Sequence, residues 1–275
     1  MAITTYDAYL AQMRQGILVP WWKEGATAGS HDFASMWLAD NDPGAAPAGG
    51  AAVSNATRGA LHFGGASTSR ILGVDLAWSN DYGPHCLTLC DRLVHTDGLV
   101  GNSGALQATN LPTPALTRYT TGLGVFAGLE IYTNISNTTP QDCVVTYTNQ
   151  AGTGGRTGTC EMGSSRHFAA REIVPVALQA GDTGVRSVES VQLAGATGAA
   201  VGSFGVTLYR PLMIIPFIDT TPLNSGTRVK LTYSAFLNMG MVPSVAQGCC
   251  LWFIQRFFAS ALLETQGQLH MGVEP

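Results

Sequence analysis

The sequence predicts a mainly β protein: a jelly-roll-like antiparallel β-sandwich preceded by a short N-terminal helix. Three observations carry this. Apolar and polar residues alternate along most runs from residue 70 onward, the period of a half-buried strand. Thirty-three glycines and thirteen prolines interrupt those runs, which suits many turns better than long surface helices. An apolar fraction of 45% can fill a core, while the charged fraction is only 12%.

Residues 1–69 read as an N-terminal arm. In TTYDAYLAQMRQG, Thr4 is placed to cap a helix, with Asp7 three residues later. Tyr6, Tyr9, Leu10 and Met13 then form one apolar stripe, and Gly16 is placed to end the helix. In GILVPWWKEG, Pro20 breaks the run beside the bulky pair Trp21 and Trp22. That pair suits packing within the fold or anchoring of another subunit, and both readings stand. Tyr6, Tyr9, Leu10, Met13, Trp21 and Trp22 are therefore the candidate subunit-interface residues. Residues 40–60, DNDPGAAPAGGAAVSNATRGA, form a small-residue connection with no periodic face. In isolation such a segment is flexible, and assembly is one way to fix it.

Residues 70–275 read as the β-sandwich domain. Candidate strands are RILGVDLAW, HCLTLCDRLVH at 85–95, GVFAGLEIYT at 124–133, a hairpin over 143–160 and VRSVESVQLA at 185–194. They continue with GSFGVTLYRPLMIIPF at 202–217, a strand bent or broken at Pro211, and RVKLTYSAFLNM at 228–239. The run LWFIQRFFASALL at 251–263 fits a strand or a buried helix, and its aromatic content favours the strand. Strands joined by Gly-, Asn- and Thr-rich turns favour sandwich topology.

The glycines of VVTYTNQAGTGGRTGTC, residues 144–160, invite a phosphate-binding reading that their surroundings oppose. No lysine and no helix follow them, so neither a P-loop nor a dinucleotide fingerprint is formed. Val145 and Tyr147 alternate with threonines before the glycines, so the glycines are expected at a hairpin tip. Arg156, in that tip, is free to make an ion pair or a subunit contact.

Other chemistry is weakly signalled. His85 and Cys86 point to opposite faces of a strand. Cys86 and Cys90 share a face, but four strand residues separate them by about 13 Å. No zinc spacing results, and the six cysteines read as mostly buried, reduced thiols. Ser164, Ser165 and His167 lie close together without a G-x-S-x-G turn, so a polar loop is preferred to a hydrolase triad. Glu130 and Glu189 sit in apolar strands and face solvent or, if buried, require arginine or backbone donors. No catalytic, metal-binding or cofactor-binding residue is assigned.

The formal net charge is −4, with lysine only at Lys23 and Lys230. No basic cluster suited to gripping nucleic acid stands out. The N-terminal residues lack a basic start followed by an apolar core, and no uninterrupted apolar run reaches the length of a membrane span. Neither direct nucleic-acid binding nor membrane insertion is expected.

Several longer stretches carry a resemblance. They are MAITTYDAYLAQMRQG, DRLVHTDGLVG at 91–101, LPTPALTRYTTGLGV at 111–125, VTYTNQAGTGGRTGT at 145–159 and VPVALQAGDTGVRSVESVQLAGATG at 174–198. Together they resemble a structural protein family of tailed double-stranded DNA bacteriophages. The resemblance implies a non-enzymatic capsid decoration or cement protein. Its implied partners are the phage major capsid protein and copies of itself, as a trimer or other small oligomer. It would sit on the outer capsid surface after assembly in the bacterial host cytoplasm. Asn134, Asn137 and Arg156 are then candidate residues of exposed loops. A fibre, collar or tail component is the nearest alternative, and a carbohydrate-binding virion module is another.

Overall fold

The computed structural model describes residues 3, 5–24, 33–43, 51–63, 69–79, 85–112, 114–217, 228–234, 242–257 and 264–273. In chain order these hold α1 (Tyr6–Gln15), β1 (Ile17–Glu24), β2 (Phe33–Ser35), a 3-10 turn (Met36–Leu38), β3 (Asn41–Asp42), β4 (Ala51–Ala52), β5 (Ser69–Ser79) and β6 (His85–His95). There follow β7 (Gln107–Ala108), β8 (Phe126–Thr133), β9 (Gln141–Asn149), β10 (Arg156–Met162), β11 (Ile173–Pro175) and β12 (Val185–Leu193). The last are β13 (Ser203–Phe217), β14 (Arg228–Ser234), β15 (Ser244–Val245), β16 (Cys250–Phe257) and β17 (Glu264–Val273).

Three antiparallel sheets result. A seven-stranded sheet runs β11-β8-β13-β6-β16-β2, with β4 added to β6. A six-stranded sheet runs β14-β5-β17-β1-β3, with β15 added to β5. A four-stranded sheet runs β10-β9-β12-β7. The fold is thus mainly β, a jelly-roll-like sandwich with a short N-terminal helix.

Side-chain alternation sets the layers. Leu87 and Leu89 of β6, and Leu251 and Phe253 of β16, face Val74, Leu76, Leu269 and Trp21 of the six-stranded sheet. Further along the long strands, Leu129, Ile131, Val206 and Leu208 face Val145, Tyr147, Val188 and Val191 of the four-stranded sheet. The seven-stranded sheet therefore serves two sandwiches. Its other face gathers Trp37, Cys90, Ile173, Tyr209, Cys250, Trp252 and Ile254. That face is nearly enclosed because the sheet curls until its edges meet. Ala34 bridges Glu172, and the Ser35 N–H donates to the Arg171 carbonyl at 2.7 Å.

Several local expectations change. The helix is capped by Thr5, not Thr4, and the Thr5 hydroxyl accepts from the Ala8 N–H. Gly16 is extended (φ −70°), so it ends the helix without a left-handed turn. A Cβ at Gly16 would press on the Met271 carbonyl, and close approach to β17 is what requires glycine. Pro20 does not break the chain. It lies inside β1, opposite Gln268 of β17, while β3 pairs only with Trp22 and Lys23. Among the described residues no strand pairs with that edge at Pro20, and an edge position tolerates the missing N–H. Pro211 also lies within a strand, next to a register shift between Pro211 and Met213 that absorbs the lost donor.

The 40–60 connection is held within the chain over its described C-terminal part. Val53 donates to the Leu93 carbonyl, and Leu61 donates to the Leu251 carbonyl. Val53, Ala60 and Leu61 are buried. Residues 44–50 lie outside the described residues. The run at 251–263 is a strand as far as Phe257, and 258–263 lie outside the described residues.

Candidate functional site

Charged side chains in apolar strands need partners, and the curled sheet supplies them. Arg92 of β6 and Glu130 of β8 form an ion pair whose side chains are both 0% exposed. Thr207 of β13, on the strand between them, donates to Glu130 at 2.7 Å and accepts from Arg92 at 3.2 Å. Ser35 of β2 donates to the other Glu130 oxygen. Tyr132 donates to the Thr96 carbonyl at 2.9 Å and lies 3.4 Å from Glu130. The Arg92 guanidinium sits 4.4 Å from the Trp37 ring centroid and 4.7 Å from that of Trp252, a cation–π arrangement away from water.

This setting fixes the protonation states. Burial pushes the Glu130 carboxyl up, but Arg92 and the Ser35 and Thr207 hydroxyls outweigh it and hold the pKa below the usual range. His95 accepts at Nδ1 from Arg92 Nε at 3.2 Å, which places its proton on Nε2. Burial, reinforced by Arg92, pulls its pKa down to about 3. Burial likewise pushes the Tyr132 phenol far up. These groups are locked in single states rather than poised for proton transfer.

Three further pairs fasten loops to the sheets. Arg118 grips Asp91 at 3.0 and 2.7 Å and also donates to the Val53 and Arg92 carbonyls. Asp91 Oδ1 accepts from the Cys250 N–H at 2.9 Å. Glu172 meets His167 Nδ1 at 2.7 Å and the Phe168 N–H at 3.1 Å. Burial raises the Glu172 pKa to about 7 against the pull of His167. Asp182 collects Arg156, Tyr147 and Asn149, and Arg156 first, then Tyr147, lowers its pKa to about 2.

The residues singled out by sequence are dispersed. Tyr9 is buried, and its hydroxyl reaches the Leu72 carbonyl at 3.2 Å. Leu10 and Met13 pack partly buried beside it. Tyr6 stacks on Tyr9 yet is 49% exposed. Trp21 is buried against Phe253, whereas its neighbour Trp22 is 46% exposed. Asn134 and Asn137 are exposed, and Asn134 Oδ1 accepts from the Ala170 N–H at 2.8 Å. Arg156 starts β10 just after the glycine-rich hairpin and is committed to Asp182. The hairpin itself turns through Gly152 and Gly155 at positive φ, with Asn149 Oδ1 accepting from Ala151 and Thr153.

The weaker chemical readings separate cleanly. Ser164 Oγ accepts from the Arg166 N–H, while the His167 ring turns to Glu172, so these residues form a loop and not a nucleophile–base pair. Glu130 is buried with its arginine, and exposed Glu189 accepts from Thr148 and Ser187. Cys249 and Cys250 face different cores. Among the described residues, no group of three or more His, Cys, Asp or Glu side chains is placed to hold a metal ion, and no helix is long and apolar enough to cross a membrane.

Sequence reasoning missed Arg92, Asp91, Arg118 and Ser35. The available signal was the scarcity of charge: an Asp-Arg pair inside the apolar run LCDRLV demands internal partners.

No family model matches the chain, and no curated protein matches it. Among solved structures, a crystal structure of the infectious bursal disease virus VP2 subviral particle aligns over 94% of this chain and 81% of that one. Its identity is 9% and its TM-score 0.19, a likeness too slight to carry an argument.

Proposed function

We propose that the chain is a non-enzymatic virion structural protein that decorates or cements the capsid of a tailed DNA bacteriophage. In this reading it binds the major capsid protein and copies of itself, as a trimer or other small oligomer, on the outer capsid surface. The reading starts from the sequence resemblance. Its physical support is the division of labour in the N-terminal segment. Tyr9 and Trp21 anchor that segment in its own chain, while Tyr6 and Leu18 present large apolar surface outward at 49% and 56% exposure. Aromatic and aliphatic side chains held rigidly at a surface are what a subunit contact uses. The internal commitment of Arg92, Glu130, Asp91 and Arg118 supports a scaffold role for the interior.

Deleting residues 1–24 would be a poor test, because β1 pairs with β17 at eight positions and the sheet itself would be damaged. The better test sediments purified chain with capsids that lack it. The expected result is saturable co-sedimentation, weakened about tenfold in a Tyr6→Ser/Leu18→Ser double variant whose melting temperature is unchanged. A chain that stays in the supernatant, or a double variant that binds as well as the original, contradicts the reading.

A further inference from the structure

The outer face of the six-stranded sheet is divided in two. Helix α1 covers the end near Leu72 and Val242 through Tyr9, Leu10 and Met13. Toward the other end a groove of about 390 Å³ lies beside Trp22, Asp75, Gln266 and Gln268. Trp22 is registered opposite Gln266, and Asp75 opposite Gln268, so three adjacent strands present one aromatic ring, two amides and a carboxylate side by side.

Gly267 lies opposite Trp21, on the core side of the sheet. A Cβ there would collide with the Asp75 carbonyl and the Trp21 ring, so glycine is what lets these strands and the Trp21 ring pack closely beneath the groove. The polar rim is pre-arranged. Gln268 Nε2 donates to Asp75 Oδ2 at 3.0 Å, and His270 Nε2 lies 3.0 Å from the same oxygen. The amide and carboxylate are thereby held in place before any ligand arrives, which reduces the ordering cost of binding.

We infer that this groove binds a neutral pyranose saccharide, stacked on Trp22 and hydrogen-bonded by Gln266, Gln268 and Asp75. The apolar C–H face of a sugar ring matches an exposed indole, while its hydroxyls both donate and accept, as amides and a carboxylate require. The volume lies at the small end of ligand sites, which suits one or two rings. Among the described residues lining the groove, Asp75 is the only charged one, so an acidic sugar meets like charge there and is disfavoured. This inference is independent of capsid attachment.

The test titrates the intact chain with maltotriose, cellotriose, chitotriose and lactose, with sialyllactose as the acidic comparison, by saturation-transfer NMR and calorimetry. At least one neutral sugar is expected to bind with a dissociation constant on the order of millimolar. Trp22→Ala and Gln268→Ala are expected to weaken it about tenfold or more, with unchanged melting temperature, whereas Leu123→Ala on another surface has no effect. If a variant also melts early, Trp22→Phe decides, because a smaller aromatic retains partial binding. Absence of binding to all four neutral sugars at 10-millimolar order, equal binding by Trp22→Ala, or preference for sialyllactose would overturn the inference.

Discussion

Ser35 and Glu130, 95 residues apart in sequence, share a hydrogen bond inside the curled seven-stranded sheet. Ser35 belongs to the strand that closes the sheet, and Glu130 to the buried ion pair that the closure covers. Trp37, two residues on, lies beside Arg92. The N-terminal segment thus completes the polar interior.

Breaking that interior from one side is expected to be costly. Glu130→Ala leaves Arg92 buried and uncompensated and should lower unfolding free energy by about 3–5 kcal/mol. Ser35→Ala removes one donor and should cost about 1–3 kcal/mol. Urea denaturation followed by tryptophan fluorescence measures both, with Glu130→Ala the larger loss.

His95 should make the fold acid-sensitive. Its folded pKa is pulled from 6.5 to about 3, chiefly by burial. The unfolded chain therefore binds the extra proton across that interval, and stability falls as pH drops from about 6.5 toward 3. Arg92 and Glu130 are the charged groups that face the ring, Arg92 lowering and Glu130 raising its pKa. His95→Gln is expected to flatten that part of the stability profile, read as urea midpoint against pH.

Glu172 acts in the opposite direction. Its folded pKa is raised from 4.5 to about 7, chiefly by burial. The folded chain keeps a proton that the unfolded chain releases, so this group lowers stability as pH rises from about 4.5 to 7. Glu172→Gln retains an acceptor for the Phe168 N–H and should remove that decline. An unchanged slope would show that Glu172 ionises normally.

The thiols should be slow to react. Cys90, Cys143, Cys249 and Cys250 are buried, and burial pushes the Cys90, Cys249 and Cys250 thiols up. Ellman's reagent at pH 8 is expected to reach Cys86 first, and all six cysteines only after denaturation. Rapid native reaction of all six would contradict the packing of both cores.

Much of the sandwich was legible because alternation is a local property. Leu87 and Leu89 against Cys86, Thr88 and Cys90 already mark β6 as a strand with two faces. Pro20 misled because proline ends a strand only where its N–H is needed, and the sequence does not reveal which strand edge stays open. The last strand, β17, was hidden by Gly267 and Gly272, whose small size answers close neighbours rather than turns. The Arg92–Glu130 pair was illegible for a different reason. GLEIY reads equally as an exposed acid or a buried one, and its partner is 38 residues away in the chain. The Trp22 groove joins residues from β1, β5 and β17, so neither alternation nor any motif could assemble it.

A density map of the intact virion at side-chain resolution tests the central claim most directly. The expected map shows this chain on the outer capsid surface, its own residues 33–37 closing the curled sheet over Arg92 and Glu130, and Tyr6 and Leu18 against a neighbouring subunit. A particle without the chain, or Tyr6 and Leu18 left in solvent on every copy, would contradict it.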